Sequence, residues 1–312
     1  MKRAVVTGCT GMLGTALIEK LLEESYEVIA VARPGSLRLS NIPQSENVTV
    51  VELSMENISN LPEILSGLSV DKCDLFFHFA WDGTHGDSRN NMDIQLLNMK
   101  YSVDAVRVAS KLKCEAFLGA GSQAEYGRVK DGTKLSGNLS CNPENGYGIG
   151  KFCAGKMTRI EAEKLGIKHV WVRILSTYGI LDGAHTLPMS LIRGFYENGR
   201  ASCTKGEQMW DYLYAKDAAE AFFLCATKGV HGKVYPIGSG VVKPLSYYIE
   251  TIRNFIDPSM EIGFGEVDYY PGQVMYLCAD IEELKNDTGF APKYSFEEGI
   301  KETINWYKET YL

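Results

Sequence analysis

The chain has no C-x-x-C pair, although it carries eight cysteines. Cys9, Cys73, Cys114, Cys141, Cys153, Cys203, Cys225 and Cys278 are scattered, and none stands with a histidine at metal-ligand spacing. That argues against a metal site and for reduced, core-filling thiols in a cytosolic protein. No apolar run approaches the ~18 residues that a membrane span requires. The apolar stretch after Met1-Lys2-Arg3 is broken by Gly8, Gly11 and Gly14, so it reads as a first strand and not as a signal peptide. A soluble, cytoplasmic protein without membrane contact is expected. Basic charge is not in excess either: 32 Lys and Arg against 39 Asp and Glu give a net charge of −7. Nucleic acid needs a basic surface to displace counterions, so it is not an expected partner. A phosphate-bearing ligand stays open, because a few backbone amides or local cations suffice to hold one. Internal repeats and low-complexity stretches are also missing.

What is present is the composition of an ordinary globular protein, 45% hydrophobic and 23% charged over 312 residues. Short apolar runs of strand length fall at Ala4–Thr7, Glu27–Ala32, Val48–Leu53, Leu75–Phe79, Ala116–Ala120 and His169–Ile174. Helical periodicities lie between several of them, at Met12–Glu24, Leu61–Leu68, Met92–Leu112 and Tyr147–Leu165. Such alternation predicts an α/β fold with a doubly wound parallel sheet of the Rossmann kind. From Ser176 to Gln208 the pattern reads as irregular loop. A helix at Ala215–Thr227 and a strand at Val234–Ile237 read as a return to the sheet, and two further helices follow at Ile281–Thr288 and Phe296–Tyr311. The expected division is a dinucleotide-binding domain over 1–176 with a returning segment at about 209–238. A smaller, discontinuous C-terminal substrate lobe would comprise 177–208 and 239–312.

Thr7-Gly8-Cys9-Thr10-Gly11-Met12-Leu13-Gly14 joins the first strand to the first helix. Glycines there allow a tight turn and close approach of backbone to a pyrophosphate, with the helix N-terminus supplying amides and dipole. NAD-binding chains usually place an acid about 20 residues on, to hold the ribose 2′-hydroxyl. This chain has Val31-Ala32-Arg33-Pro34 there, with Arg38 shortly after. A missing carboxylate plus arginine suits a 2′-phosphate, so NADP is expected ahead of NAD.

Tyr147-Gly148-Ile149-Gly150-Lys151 sets a phenol and an ammonium one helical turn apart on one face. A free tyrosine, with a pKa near ~10, is a poor acid at neutral pH. A lysine cation nearby favours the tyrosinate and eases loss of the proton, as carbonyl reduction requires. Ser122 stands at the end of the fifth strand, where doubly wound sheets bind ligands, and its hydroxyl could stabilise developing charge on a carbonyl oxygen.

Taken together, these motifs resemble the extended short-chain dehydrogenase/reductase family of nucleotide-sugar epimerases, dehydratases and 4-keto-reductases. Thr7–Gly14 is similar to its T-G-x-x-G-x-x-G, and Tyr147/Lys151 to its Y-x-x-x-K. Ser122 precedes Tyr126-Gly127 as the family serine does. Phe77-His78-Phe79-Ala80 resembles its H-x-A segment, and Arg173–Gly179 its R-x-x-N-x-Y-G. Asp211 and Asp217 fit its later aspartates. The resemblance implies Tyr147 as general acid/base, Lys151 on the nicotinamide ribose, Ser122 on the substrate carbonyl and Asn98 as a structural or proton-relay residue. It implies a cofactor site of Thr7, Gly8, Thr10, Gly11, Met12, Leu13, Gly14, Arg33, Arg38, Glu52, Leu53, Phe79 and Ala80, completed by Tyr147 and Lys151. It also implies a homodimer.

Departures refine the expectation. Glu52 stands where many relatives have aspartate, and Ser176 replaces the substrate-loop asparagine. Trp210 and Tyr270 stand at or near positions of arginines that clamp a diphosphate, and with Gln123 and Ser176 they form the expected substrate side. Arg128, Arg193 and Arg200 are candidate replacements for those arginines. Gln123-Ala124 lacks the Asp-Glu pair with which sugar dehydratases eliminate water. The reading is therefore an NADP-dependent reductase of a keto group on a nucleotide-linked deoxysugar. Its alternatives are a nucleotide-sugar epimerase and, from another class, a catalytically silent NADP-binding sensor, which would have no need of Tyr147 as a proton donor.

Overall fold

A computed structural model describes residues 2–312. Its centre is a seven-stranded sheet. Six of the strands are β1 (Lys2–Thr7), β2 (Tyr26–Ala32), β3 (Val48–Glu52), β4 (Leu75–His78), β5 (Ala116–Ser122) and β6 (Lys168–Ile174), and Val234–Ile237 is the seventh. The order is Val234–Ile237, β6, β5, β4, β1, β2, β3, with every pairing parallel. Helices α1 (Met12–Glu23), α2 (Leu61–Gly67), α3 (Met92–Lys111) and α4 (Gly146–Leu165) make the crossovers. Alternate residues of β1 serve opposite faces: Ala4 and Val6 join one apolar cluster with α1, while Val5 joins another with α2 and α3. Both faces are thus covered, as an all-parallel sheet requires.

Each of the seven main-sheet strands read from the sequence forms within two residues of its expected bounds. The stretch from Ser176 to Gln208, read as loop, is not loop throughout. It holds a strand at Ser176–Tyr178, helix α5 (Leu187–Asn198) and a strand at Arg200–Cys203. Helix α5 has Pro188 in its first turn and Gly199 in the left-handed region at its end, at φ 68°, which are ordinary start and stop signals. Beyond α6 (Ala215–Lys228), a helix not expected from the sequence, α7 (Leu245–Ile256), precedes the expected α8 (Glu282–Thr288) and α9 (Phe296–Tyr311). Helices α5, α7 and α9 bury Leu191, Ile192, Ile249 and Ile304 in a third cluster. Among the described residues, no helix is long and apolar enough to cross a membrane.

The strand order reverses direction at β1, which lies between β2 and β4. Carboxyl ends of strands at such a reversal leave a crevice for ligands. Thr7, His78 and Ser122 are the last residues of β1, β4 and β5, so the topology brings their surroundings together.

Candidate active site

The turn after β1 is built for close approach. Gly8 has φ +70°, and a Cβ there would lie 2.8 Å from Ala80 N and from the Phe79 carbonyl carbon. A side chain at Gly11 would meet only the Gly8 carbonyl oxygen, at 3.7 Å, so this glycine keeps open the space in front of the α1 N-terminus. Beneath it, a chain of hydrogen bonds fixes β1 to β4. Ala80 N–H donates to Thr7 Oγ1 (3.3 Å), which lies 3.0 Å from His78 Nδ1, and His78 Nε2 lies 3.2 Å from Ser102 Oγ. Ser102 donates to the Asn98 carbonyl at 2.8 Å, so its oxygen must accept from His78, which puts the imidazole proton on Nε2. Burial lowers the His78 pKa to about 3, consistent with a neutral ring used as structure.

Two adjoining cavities follow the carboxyl edge of the sheet. One, of about 520 Å³, is lined by Gly8, Thr10, Gly11, Arg33, Arg38, Leu53, Phe79 and Ala80 among others. The second, of about 380 Å³, is lined by Met12, Leu13, Gly14, Ser122, Tyr147, Lys151 and Leu175 among others. Gly8, Gly11, Phe79, Trp81 and Thr84 border both. The glycine-lined groove and the unpaired amides of the α1 N-terminus fit a dinucleotide. Glu52 does not line the groove; its carboxylate accepts Gly35 N–H at 2.9 Å, and Leu53 to Glu56 form the edge instead. Arg33 is largely exposed, with Nη1 3.6 Å from Asp82 Oδ1, a carboxylate that the motif reading passed over. Asn98 uses both ends of its amide on Asp82, accepting from its N–H (3.1 Å) and donating to its carbonyl (2.8 Å). Both ends of the Asn98 amide are thus engaged by the backbone of Asp82.

Helix α4 presents the phenol and the ammonium. Asn145 caps it by accepting Gly148 N–H at 2.9 Å, and Asn90 accepts Gly146 N–H at 2.9 Å. Tyr147 is half-buried and Lys151 buried. Lys151 Nζ donates to the Ala120 carbonyl at 2.6 Å and sits 3.8 Å from the centre of the Trp81 ring. Burial pushes its pKa down to about 7, with Glu125 opposing. The expected lowering of the Tyr147 pKa by Lys151 is not what this state of the site shows. Burial raises the Tyr147 pKa, and the groups that pull it back are the Ser122 hydroxyl, by hydrogen bonding, and Arg89, by charge. The physical reason is that Lys151 is itself desolvated and lies 5.9 Å from the phenol ring centre, while the Arg89 guanidinium stands 4.6 Å over that ring.

Ser122 is held from behind. Its N–H donates to Glu125 Oε1 at 2.9 Å, and its Oγ accepts Ala124 N–H at 3.2 Å. Glu125 is buried; Oε1 also accepts Trp171 Nε1 at 2.9 Å, and Oε2 accepts Arg173 Nε at 2.8 Å. The only acid in Gln123-Ala124-Glu125 is therefore committed to an internal ion pair. Sequence reading missed Glu125, Arg89 and Trp81, although Trp81 directly follows the His78-Phe79-Ala80 segment.

On the expected substrate side, Trp210 Nε1 donates to Ser176 Oγ at 2.7 Å, and the indole packs against two of the apolar clusters. Tyr270 is 61% exposed. Gln123 opens the short turn after Ser122. Arg193 and Arg200 are paired with Glu197 and Glu266. Arg128 pairs with Glu144 at 3.0 Å, and its guanidinium lies against Gly272, two residues from Tyr270. Asp211 and Asp217 are buried and spend their carboxylates on backbone amides of Ser239, Gly240 and Ala279, and of Lys293 and Tyr294. His85 and His185 stack at 4.6 Å between ring centres.

Residues 4–238 match the family model described as the NAD dependent epimerase/dehydratase family. A dTDP-D-glucose 4,6-dehydratase from Bos taurus is 26% identical, over 99% of this chain and 90% of that protein. A CDP-abequose synthase from Salmonella muenchen is 23% identical, over 97% of each. Among solved structures, the UDP-N-acetylglucosamine 4-epimerase from Methanobrevibacter ruminantium M1 superimposes with a TM-score of 0.88 at 21% identity, over 99% of this chain and 98% of that one.

Proposed function

The chain belongs to the NAD dependent epimerase/dehydratase family, of the extended short-chain dehydrogenase/reductase type, and from that premise we propose that it reduces a keto group on a nucleotide-linked deoxysugar, using NADP. The observation that carries the reductase reading is the pair Arg33 and Arg38 lining the groove where a ribose-binding acid would stand. When bound, the reduced dinucleotide supplies a hydride to a carbonyl carbon. Tyr147 gives its proton to the carbonyl oxygen, Ser122 donates a hydrogen bond to that oxygen, and Lys151 holds the nicotinamide ribose. Carbonyl, hydride and proton together make the alcohol, and no further group is lost. Dehydration would need a second free acid or base beside Ser122, and Glu125 is committed to Arg173 and Trp171.

Residues 177–208 and 239–312, joined by Trp210 of the returning segment, supply the substrate side in this reading. Trp210 and Tyr270 offer faces for a base or sugar, and Arg128 beside Gly272 offers charge for a diphosphate. Two copies pair through α3 and α4, which expose the apolar side chains Leu96, Leu97, Ile149, Met157 and Ile160. Leu97→Arg should convert the dimer to monomer in sedimentation; a monomeric wild type overturns that pairing. The cytoplasm suits the eight unpaired cysteines, six of them buried.

One observation favours the second reading, a nucleotide-sugar epimerase that keeps NAD through its cycle. Asp82 lies 3.6 Å from Arg33 and offsets part of its charge. Titrating both cofactors separates the two. Arg33→Ala should weaken NADP binding by roughly 10- to 100-fold, the loss of one charge-assisted hydrogen bond, and leave NAD binding nearly unchanged. A wild type that binds NAD more tightly than NADP overturns the NADP assignment and favours the epimerase.

A further inference from the structure

Trp81 is fixed more firmly than a wall residue needs to be. Its Nε1 donates to Gln95 Oε1 at 2.9 Å, and Gln95 is itself buried, donating from Nε2 to the carbonyls of Gly83 (3.1 Å) and Ser88 (3.2 Å). Helix α4 makes room for the ring with a glycine: a Cβ at Gly150 would stand 3.3 Å from Trp81 Cζ2 and 3.3 Å from Gln95 Cβ. A glycine inside a helix is destabilising against alanine, so its place beneath this indole is informative. The ring stands perpendicular to that of Tyr147, 6.3 Å between centres, and Lys151 Nζ lies 3.8 Å over the ring centre. Trp81 also borders both the groove of Gly8 and the cavity of Ser122.

We propose that Trp81, oriented by Gln95, is the positioning residue for Lys151, its indole face holding the ammonium charged and aimed at the place where the two cavities meet. This rests on the reading above that Lys151 holds the dinucleotide ribose. The Ala120 carbonyl accounts for one of three ammonium protons; the indole face shields a second side of the cation without taking a proton, which leaves donors for a ligand. A cation packed on a tryptophan face and removed from water is stabilised by the ring quadrupole, and less so on phenylalanine. Other groups that bear on Lys151 are Glu125 below it, Tyr147 on its own helix, neutral His78 at the end of β4, and Arg89 across Tyr147. None of these is removed by changing Trp81.

The test titrates NADH and NADPH, the probes themselves, against wild type, Trp81→Leu, Trp81→Phe and Lys151→Met over a range of pH, with circular dichroism to confirm folding. In wild type, affinity should fall as pH rises through loss of the Lys151 proton. Trp81→Leu should move that fall about one pH unit lower. Trp81→Phe keeps a ring face but loses the Gln95 anchor, so it should shift the same way by less, and it carries the test alone if the leucine variant does not fold. An unshifted profile in both Trp81 variants, with a flat profile in Lys151→Met, overturns the role of Trp81 alone. A wild-type profile retained in Lys151→Met overturns the placement of Lys151 on the ribose.

Discussion

Replacing Tyr147 by Phe should cut turnover at least ~10²-fold while leaving the fold and cofactor binding nearly intact. The side chain keeps its ring, so its packing against Trp81 and beneath Arg89 survives. What is lost is the one hydroxyl proton that stands next to Ser122 in the cavity of Lys151. Burial holds the phenol protonated through neutral pH, which suits the acid that reduction requires. The Ser122 hydrogen bond and the Arg89 charge favour the tyrosinate once the proton has gone. Ser122→Ala should lose less, since it removes a hydrogen bond and not the proton source. Assaying both variants with a nucleotide-linked keto sugar and reduced cofactor checks this; wild-type turnover in the Phe variant would remove Tyr147 from the chemistry.

The largest loss of stability is expected from Glu125→Ala. One buried carboxylate accepts from Ser122 N, Trp171 Nε1 and Arg173 Nε, and removing it orphans all three donors and leaves a buried guanidinium unpaired. Breaking one side of such a pair costs about 3–5 kcal/mol, which should lower the melting temperature by roughly 10 °C. Arg173 retains the Gly137 carbonyl at 3.2 Å and the Tyr126 ring at 4.6 Å, neither of which replaces a counter-charge. Replacing both partners by apolar residues, as Glu125→Leu with Arg173→Met, should recover much of that loss, because no charge is then stranded. It should not recover activity, because Ser122 N–H would still lack its acceptor. A melting temperature unchanged in Glu125→Ala would mean that the pair contributes nothing to the fold.

The sheet was legible because its strands are continuous apolar runs between turn residues, as in Ala4–Thr7 and Leu75–His78. Helices α1 and α4 were equally legible from their helical periodicity, with the glycine turn before α1 as a further sign. Helix α5 was not, although Leu187, Leu191, Ile192 and Phe195 have helical spacing. The abundance of Gly, Thr and Asn between Ser176 and Gln208 made the whole stretch read as loop. In the candidate site, the sequence pointed to residues carried by local motifs and not to those brought in by tertiary contact. Nothing local links Glu125 to Arg173, Arg89 to Tyr147, or Trp81 to Gln95, since each pair meets only when separate elements pack. The direction of the Tyr147 pKa shift was missed for the same reason: spacing sets Lys151 one turn away, but burial of both groups is a property of the fold.

The measurement that tests the account most directly is incubation of the wild-type protein with nucleotide-linked 4-keto-deoxysugars and reduced cofactor, following nicotinamide oxidation alongside the mass of the sugar. The account predicts one equivalent of NADPH oxidised for each sugar that gains two hydrogens, with neither change when Tyr147 is Phe. A sugar inverted at one carbon with its mass unchanged, while the bound cofactor shows no net oxidation, would contradict the reductase and identify an epimerase.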